Sequence, residues 1–370
     1  MHVIDSLDIG GAERMLVDMV NNIDPERYSV SVCVTRSAAP LQHEIHRDIP
    51  VKLLHRKYKW SIAGFTKLAE FSLQQRVDLY HAHGLSTFSF LLFAKRLGII
   101  QKPILLHDHF GDIEIARATP KWFKYWGRAS LDYYVGVSKK LVDWAINAGV
   151  SQTRATTIEN ALDIKRYAQV PAINLHHVFQ VPIEKKVAVM IGNIRPSKGL
   201  DILIRVCTSL NRDIIPVFVI LGRVQDASYY KTCQDMIAKA DLEEFFIFLG
   251  AQPDRIAWIK GADFAVIPSI SESGPLVLIE YIACGLPFAS MKVGGISELV
   301  YPSIPDAFAS PLDIDRFSAI LNRLAILPKI ELKVLGEKIQ KDILEMFDIR
   351  NKLSCWYAIY DEIIRERRIS

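Results

Sequence analysis

Short apolar runs at residues 2–6, 30–35, 79–82, 104–107 and 133–137 recur through the first half of the chain, separated by stretches long enough to hold helices. This alternation constrains the fold more than any other feature. Parallel strands cannot be joined by hairpins, so each pair needs a crossover, normally a helix. A sheet covered by helices on both faces then reads as apolar runs rather than as alternating ones. Residues 2–6, a loop at 7–11, a helix at 12–22 with an apolar stripe at Met15, Leu16, Met19 and Val20, and the run at 30–35 make one such βαβ unit. The expected class is α/β with a parallel sheet.

At 370 residues the chain exceeds the size at which one hydrophobic core usually stops growing, so two domains are expected. Composition changes near residues 168–184, where prolines and polar residues lead into Lys185 and Lys186. A second series follows, with strands at 187–191, 217–221, 245–249 and 264–268 and helices at 199–210 and 227–240. Helical periodicity dominates from Asp313, and residues 343–367 read as one or two terminal helices. The expected division is residues 1–180, residues 181–345, and a terminal helical segment at 346–370.

Half of the residues are apolar and fewer than a quarter charged, which suits well-buried cores; a net charge of +4 gives no ground for nucleic-acid binding. Cys33, Cys207, Cys233, Cys284 and Cys355 are scattered and odd in number, as free thiols of a reducing compartment would be. With no basic leader and no apolar run of membrane-helix length, a cytoplasmic protein is expected. Residues 117–128, RATPKWFKYWGR, interleave basic and aromatic side chains. They fit either an amphipathic helix with its rings in a core, or a weak peripheral contact with the inner face of the plasma membrane.

Chemistry concentrates at the ends of the apolar runs. Residues 267–295 carry Glu272 in a loop after a buried strand, Gly274-Pro275 as a break, and Glu280 inside the helix at 275–284. In an open parallel sheet, that carboxyl edge is where ligands bind. Gly10 and Gly11 stand between the first strand and first helix, where both a tight turn and an anion cradle fit. Residues 192–199, GNIRPSKG, repeat that placement in the second half, with Arg195 and Lys198 as a solvated loop pair or as partners of a diphosphate. His109 follows an apolar strand, and either a satisfied structural histidine or a group that bonds a sugar hydroxyl fits. His107, Asp108, His109 and Asp112 show no recognised metal-ligand spacing, so no metal is expected. Asn160 and Asp163 fit polar-ligand contacts or local capping.

Taken together, these motifs resemble retaining glycosyltransferase family 4. The resemblance rests on IGGAE near the start, His109, VSKKL at 137–141, IENALD at 158–163, Lys198-Gly199, and ESGPLVLIEYIACGLP followed by VGGISELV. It implies two facing Rossmann-like domains of the GT-B type, with terminal helices returning to the first. It further implies transfer of a hexosyl unit, with retention, from a nucleoside diphosphate sugar, UDP-linked rather than GDP-linked. The acceptor implied is a saccharide or lipid-linked saccharide hydroxyl, in bacterial surface polysaccharide synthesis, without a cofactor. By the same resemblance Lys198 binds the donor diphosphate, Glu280 the ribose hydroxyls and Glu272 the donor sugar. Gly10 and Gly11 approach phosphate or acceptor, and His109 helps hold the transferred sugar. The family commonly has Gly-Arg where this chain has Gly192-Asn193, so Arg195 is expected to supply the missing charge. An epimerase or phosphorylase on a similar scaffold, or a non-catalytic nucleotide-sugar-binding protein, is the competing expectation.

Overall fold

In a computed structural model, which describes residues 1–37, 40–58, 61–113 and 118–369, the chain forms two compact units. The first comprises Met1–Asp163 and Ile349–Ser370, the second Ile164–Asp348. The first unit's strands are β1 (His2–Ser6), β2 (Val32–Ser37), β3 (Val51–Leu53), β4 (Tyr80–His83), β5 (Ile104–Asp108), β6 (Tyr133–Gly136) and β7 (Ala155–Thr157). They form a parallel sheet in the order β3-β2-β1-β4-β5-β6-β7. The second unit's strands are β8 (Val187–Ile191), β9 (Val217–Leu221), β10 (Phe246–Gly250), β11 (Phe264–Ile267), β12 (Phe288–Met291) and β13 (Phe308–Ala309), ordered β10-β9-β8-β11-β12-β13.

Both orders reverse beside their first strand, between β1 and β4 and between β8 and β11. Each reversal opens a crevice at the carboxyl ends of the two strands, because their connections leave to opposite sides. Two Rossmann-like units, as expected, therefore each bring one candidate site. The central strands are buried throughout: every residue of VFVIL in β9 and of FAVI in β11 lies in the interior. In the second unit, Leu203, Phe218, Phe264 and Phe317 belong to one continuous core.

The expected boundary near residue 180 lies later in the chain than the observed division at Asp163. Residues after 163 are bonded into the second unit: Ile173 N–H donates to Ala257 O at 3.1 Å and Lys260 Nζ to Val170 O at 2.7 Å. Composition changes near 168–184 because the connecting segment lies on the second unit's surface, not because the unit begins there.

The terminal stretch is one helix, Ile349–Ile369. Ile349, Leu353, Trp356, Tyr360 and Ile363 recur at alternating spacings of four and three, which stacks them along one stripe. That stripe packs on Met15, Met19 and Ile23 of the helix Gly11–Asn22 and its cap, and on Leu105 and Val135 of β5 and β6. Ion pairs from Arg350 to Asp163 at 3.0 Å and from Lys352 to Glu159 at 2.9 Å hold its first turn. The helix thus belongs to the first unit, as the resemblance implied.

Candidate active site

In the second unit the loop after β8 runs against the loop after β11. Gly199 makes this approach possible: its φ is +69°, and a Cβ there would stand 2.0 Å from the Pro268 carbonyl oxygen. Ile270 N–H donates to Ser197 O at 2.9 Å, locking the two loops together. Lys198 Nζ consequently lies 2.5 Å from Glu272 Oε1, which also accepts from Ser269 Oγ at 2.9 Å. Gly294, at φ +78°, closes the other side, since a Cβ there would press on Pro275 and on Glu272 itself. Gly274 occupies the turn between Glu272 and the helix Leu276–Ala283, and Arg195 stands half-buried at the start of the turn Pro196–Lys198.

Glu280 is almost fully buried within that helix. Its Oε1 accepts from Arg255 Nε at 2.8 Å and from Tyr167 OH at 3.1 Å, while Oε2 is buried without a partner among the described residues. An orphaned carboxylate oxygen in the interior is costly unless something donates to it. The arrangement fixes one oxygen and leaves the other in the interior without a partner among the described residues. Lys198 and Glu272 are in direct contact, whereas Glu280 is held by Arg255 and Tyr167. Sequence reasoning missed both of these partners. Arg255 opens the helix after β10, a position at which a basic residue could have been noticed, but Tyr167 lies far away in sequence and carried no signal.

In the first unit a cavity of about 530 Å³ opens at the switch between β1 and β4. Its walls include Asp5, Glu13, His83, Gly84, Asp108 and His109. His109 is half-buried, its Nε2 is 3.4 Å from His83 Nδ1, and burial lowers its pKa to about 4, so the ring is neutral at neutral pH. Beside it Asp108 accepts from Tyr134 OH at 2.8 Å and from the Phe110 N–H at 3.2 Å. Burial pushes the Asp5 carboxyl up, but hydrogen bonds from Thr35 and Ser86 and the Arg56 guanidinium outweigh it and hold the pKa below its ordinary value.

Gly10 caps the helix Gly11–Asn22 in extended backbone, and a Cβ on it would stand 2.2 Å from the Glu13 carboxylate. These glycines adjoin the cavity's Ala12 and Glu13. Asp163 serves the fold, because its N–H donates to Asp18 Oδ2 and its carboxylate accepts from Arg350. Asn160 is buried just before it. In the basic aromatic segment Phe123 enters the core and Trp122 packs half-buried against it, while Tyr125 and Trp126 are exposed, so the core reading fits the first two rings and leaves the other two available to a surface; Arg117 lies outside the described residues.

Paired Rossmann-like units with a basic loop and two acidic side chains at the carboxyl edge of the second define a double-domain α/β enzyme of the GT-B kind. Residues 174–342 match the profile of the family described as glycosyl transferases group 1, and residues 9–166 that of Glycosyltransferase Family 4. N-acetyl-alpha-D-glucosaminyl L-malate synthase of Bacillus anthracis is 21% identical over 83% of this chain and 80% of that relative. D-inositol 3-phosphate glycosyltransferase 2 of Catenulispora acidiphila is 29% identical over 41% of this chain, and the match spans only 38% of that relative's length. The crystal structure of Anabaena Alr3699/HepE in complex with UDP and glucose superposes with a TM-score of 0.78 at 20% identity, covering 97% of this chain and 99% of that one. The chain is a glycosyltransferase of the family 4 type on a GT-B fold.

Proposed function

We propose that the protein transfers a hexosyl unit, with retention at the anomeric carbon, from a UDP-linked sugar to a hydroxyl of a saccharide or lipid-linked saccharide. One observation carries this reading: at the switch point of the second sheet, Lys198 is held against Glu272, while Oε2 of Glu280 in the nearby helix is buried without a partner among the described residues. A nucleoside diphosphate sugar asks for these groups, a cation for the diphosphate and acceptors for ribose and sugar hydroxyls. That a structural neighbour holds UDP and glucose agrees with it.

As the bond from the anomeric carbon to the diphosphate breaks, negative charge grows on the phosphate oxygens. Lys198 and Arg195 stabilise that charge more in the transition state than in the bound donor, which is the condition for acceleration. Glu272 accepts from donor hydroxyls and, through its contact with Lys198, sets the position of the ammonium group. Glu280 Oε2 accepts from the ribose. Two glutamates do not by themselves make a covalent carboxylate intermediate; the reaction proceeds by same-face substitution, in which the leaving diphosphate takes the acceptor's proton. His109, neutral and lining the first unit's cavity, bonds the transferred sugar. Because cationic side chains meet the leaving group, turnover is expected to persist in EDTA.

The test is a donor screen followed by mass balance. Calorimetry with UDP, GDP and their hexose conjugates is expected to select a uridine donor, and Glu280→Gln is expected to weaken it about tenfold, the loss of one hydrogen bond to a charged acceptor. Incubation with saccharide and lipid-linked acceptors should yield glycosylated acceptor and UDP in equal amounts. Isomerised donor, phosphate-dependent cleavage, or binding without product would each overturn the reading.

A further inference from the structure

Five histidines meet on one face of the first unit's sheet, and the proposed transfer uses only His109. His81 and His83 are two apart on β4 and so point to the same face, and His2 on β1 is the register partner of His81. His107 on β5 pairs with His83. The rings pile together, with centroids of His81 and His83 4.4 Å apart and those of His2 and His81 4.6 Å apart. No motif spacing reveals this, because β1 and β4 are distant in sequence.

We propose that His2, His81 and His83 form a binding site for a transition-metal ion that prefers imidazole nitrogen, zinc being the probe of choice. One ring nitrogen from each lies within 4.8 Å of the other two. Tetrahedral zinc with Zn–N bonds near 2 Å needs nitrogens about 3.3 Å apart. His2 Nδ1 and His83 Nε2 already stand 3.1 Å apart, and His81 Nε2 is buried without a partner among the described residues. A shift of up to about 1.5 Å in one ring completes the triad, and water takes the fourth position.

The groups behind the triad are what distinguish it. Ligating histidines nearly always fix their other nitrogen through a hydrogen bond, which sets the tautomer and aims the lone pair. His81 Nδ1 lies 2.8 Å from Tyr360 OH, and His83 Nδ1 lies 3.4 Å from His109 Nε2. With both Nδ1 atoms protonated toward those partners, the two Nε2 lone pairs are free for the ion. No net proton need leave, since whichever of His2 and His83 donates across their 3.1 Å contact changes only its tautomer. The alternative group, His83, His107 and His109, lacks such support: both nitrogens of His107 and Nδ1 of His109 are buried without partners among the described residues. This departs from the expectation of no metal; because His83 also lines the first unit's cavity and contacts His109, the ion would hold that wall of the cavity while tying β1 and β4 to the terminal helix through Tyr360.

The experiment uses the full chain, stripped with chelator and dialysed. Zinc titration by calorimetry is expected to show one tight equivalent, accompanied by a rise in melting temperature. Cobalt substitution should give the visible absorption of a tetrahedral centre. Tyr360→Phe, which keeps the ring and removes only the hydroxyl, should weaken zinc about 10- to 100-fold, and His81→Gln should abolish the tight equivalent. If His81→Gln does not fold, Tyr360→Phe alone decides. Zinc uptake unchanged in a folded Tyr360→Phe protein, or no tight equivalent in the wild type, overturns the proposal. Several weak equivalents insensitive to either change would mark surface histidines instead, and overturn it equally.

Discussion

Acidification from pH 7.5 to 5.5 is expected to loosen the first unit well before the second. Burial holds His2, His81, His83 and His107 well below the ordinary histidine value of 6.5 and His109 at about 4. The native unit therefore binds almost no protons at these sites across that window, whereas the unfolded chain begins to bind them near pH 6.5. Stability falls as pH falls, because the unfolded state takes up more protons. The loss ends only when each folded-state value is crossed, about pH 4 for His109. Full expression of the difference is worth about 1.4 kcal/mol per histidine over the two pH units, or roughly 7 kcal/mol for the cluster, which is comparable with the whole stability of many domains. Hydrogen exchange with mass spectrometry, in chelator, can follow peptides spanning β4 and β5 against those spanning β9 and β11 of the second unit. His107→Phe should lessen the slope by about a fifth while removing two unpartnered nitrogens. Equal loss of protection in both units, or flat protection of β4 and β5 between pH 7.5 and 5.5, would refute the reasoning.

Three further outcomes are expected. Lys198→Ala should cut donor affinity and turnover, and Arg195→Ala should do so to a lesser degree; full activity in Arg195→Ala would show that it does not replace the family's missing charge. Trp356→Ala, which empties a fully buried site between His81, His107 and the helix Gly11–Asn22, should cost about 3–5 kcal/mol by urea unfolding. Tyr125→Ser with Trp126→Ser should abolish co-sedimentation with anionic vesicles at low salt, while wild-type protein that never sediments would remove the membrane role from this segment.

Most of the framework was legible because buried parallel strands leave apolar runs. β8 and β9 lie where residues 187–191 and 217–221 predicted, and Glu272 and Glu280 fall in the loop and helix expected of them. β3, β7 and β13 went unseen because two- or three-residue edge strands carry no periodicity, and the Lys52 in β3 breaks even the apolar run; β12, four residues with Ser290 inside, was too short an apolar run to read. The terminal helix was readable from its stripe, but what it covers was not, since Met15 and Trp356 meet from opposite ends of the chain. The histidine cluster was hidden for the same reason: the spacing of His107 and His109 pointed to one strand alone, and only the register of β1 with β4 brings in the others.

Because residues 349–369 complete a layer begun by residues 2–23, the first unit cannot be finished during synthesis until the ribosome has passed the whole second unit and made that helix. Until then the histidine-bearing face of its sheet is bare to solvent and to chaperones. A premature stop that spared every residue of the proposed transfer site would still yield a protein whose first unit never closes. Loss of so short a segment would therefore be felt first as failed maturation and only secondarily as lost catalysis.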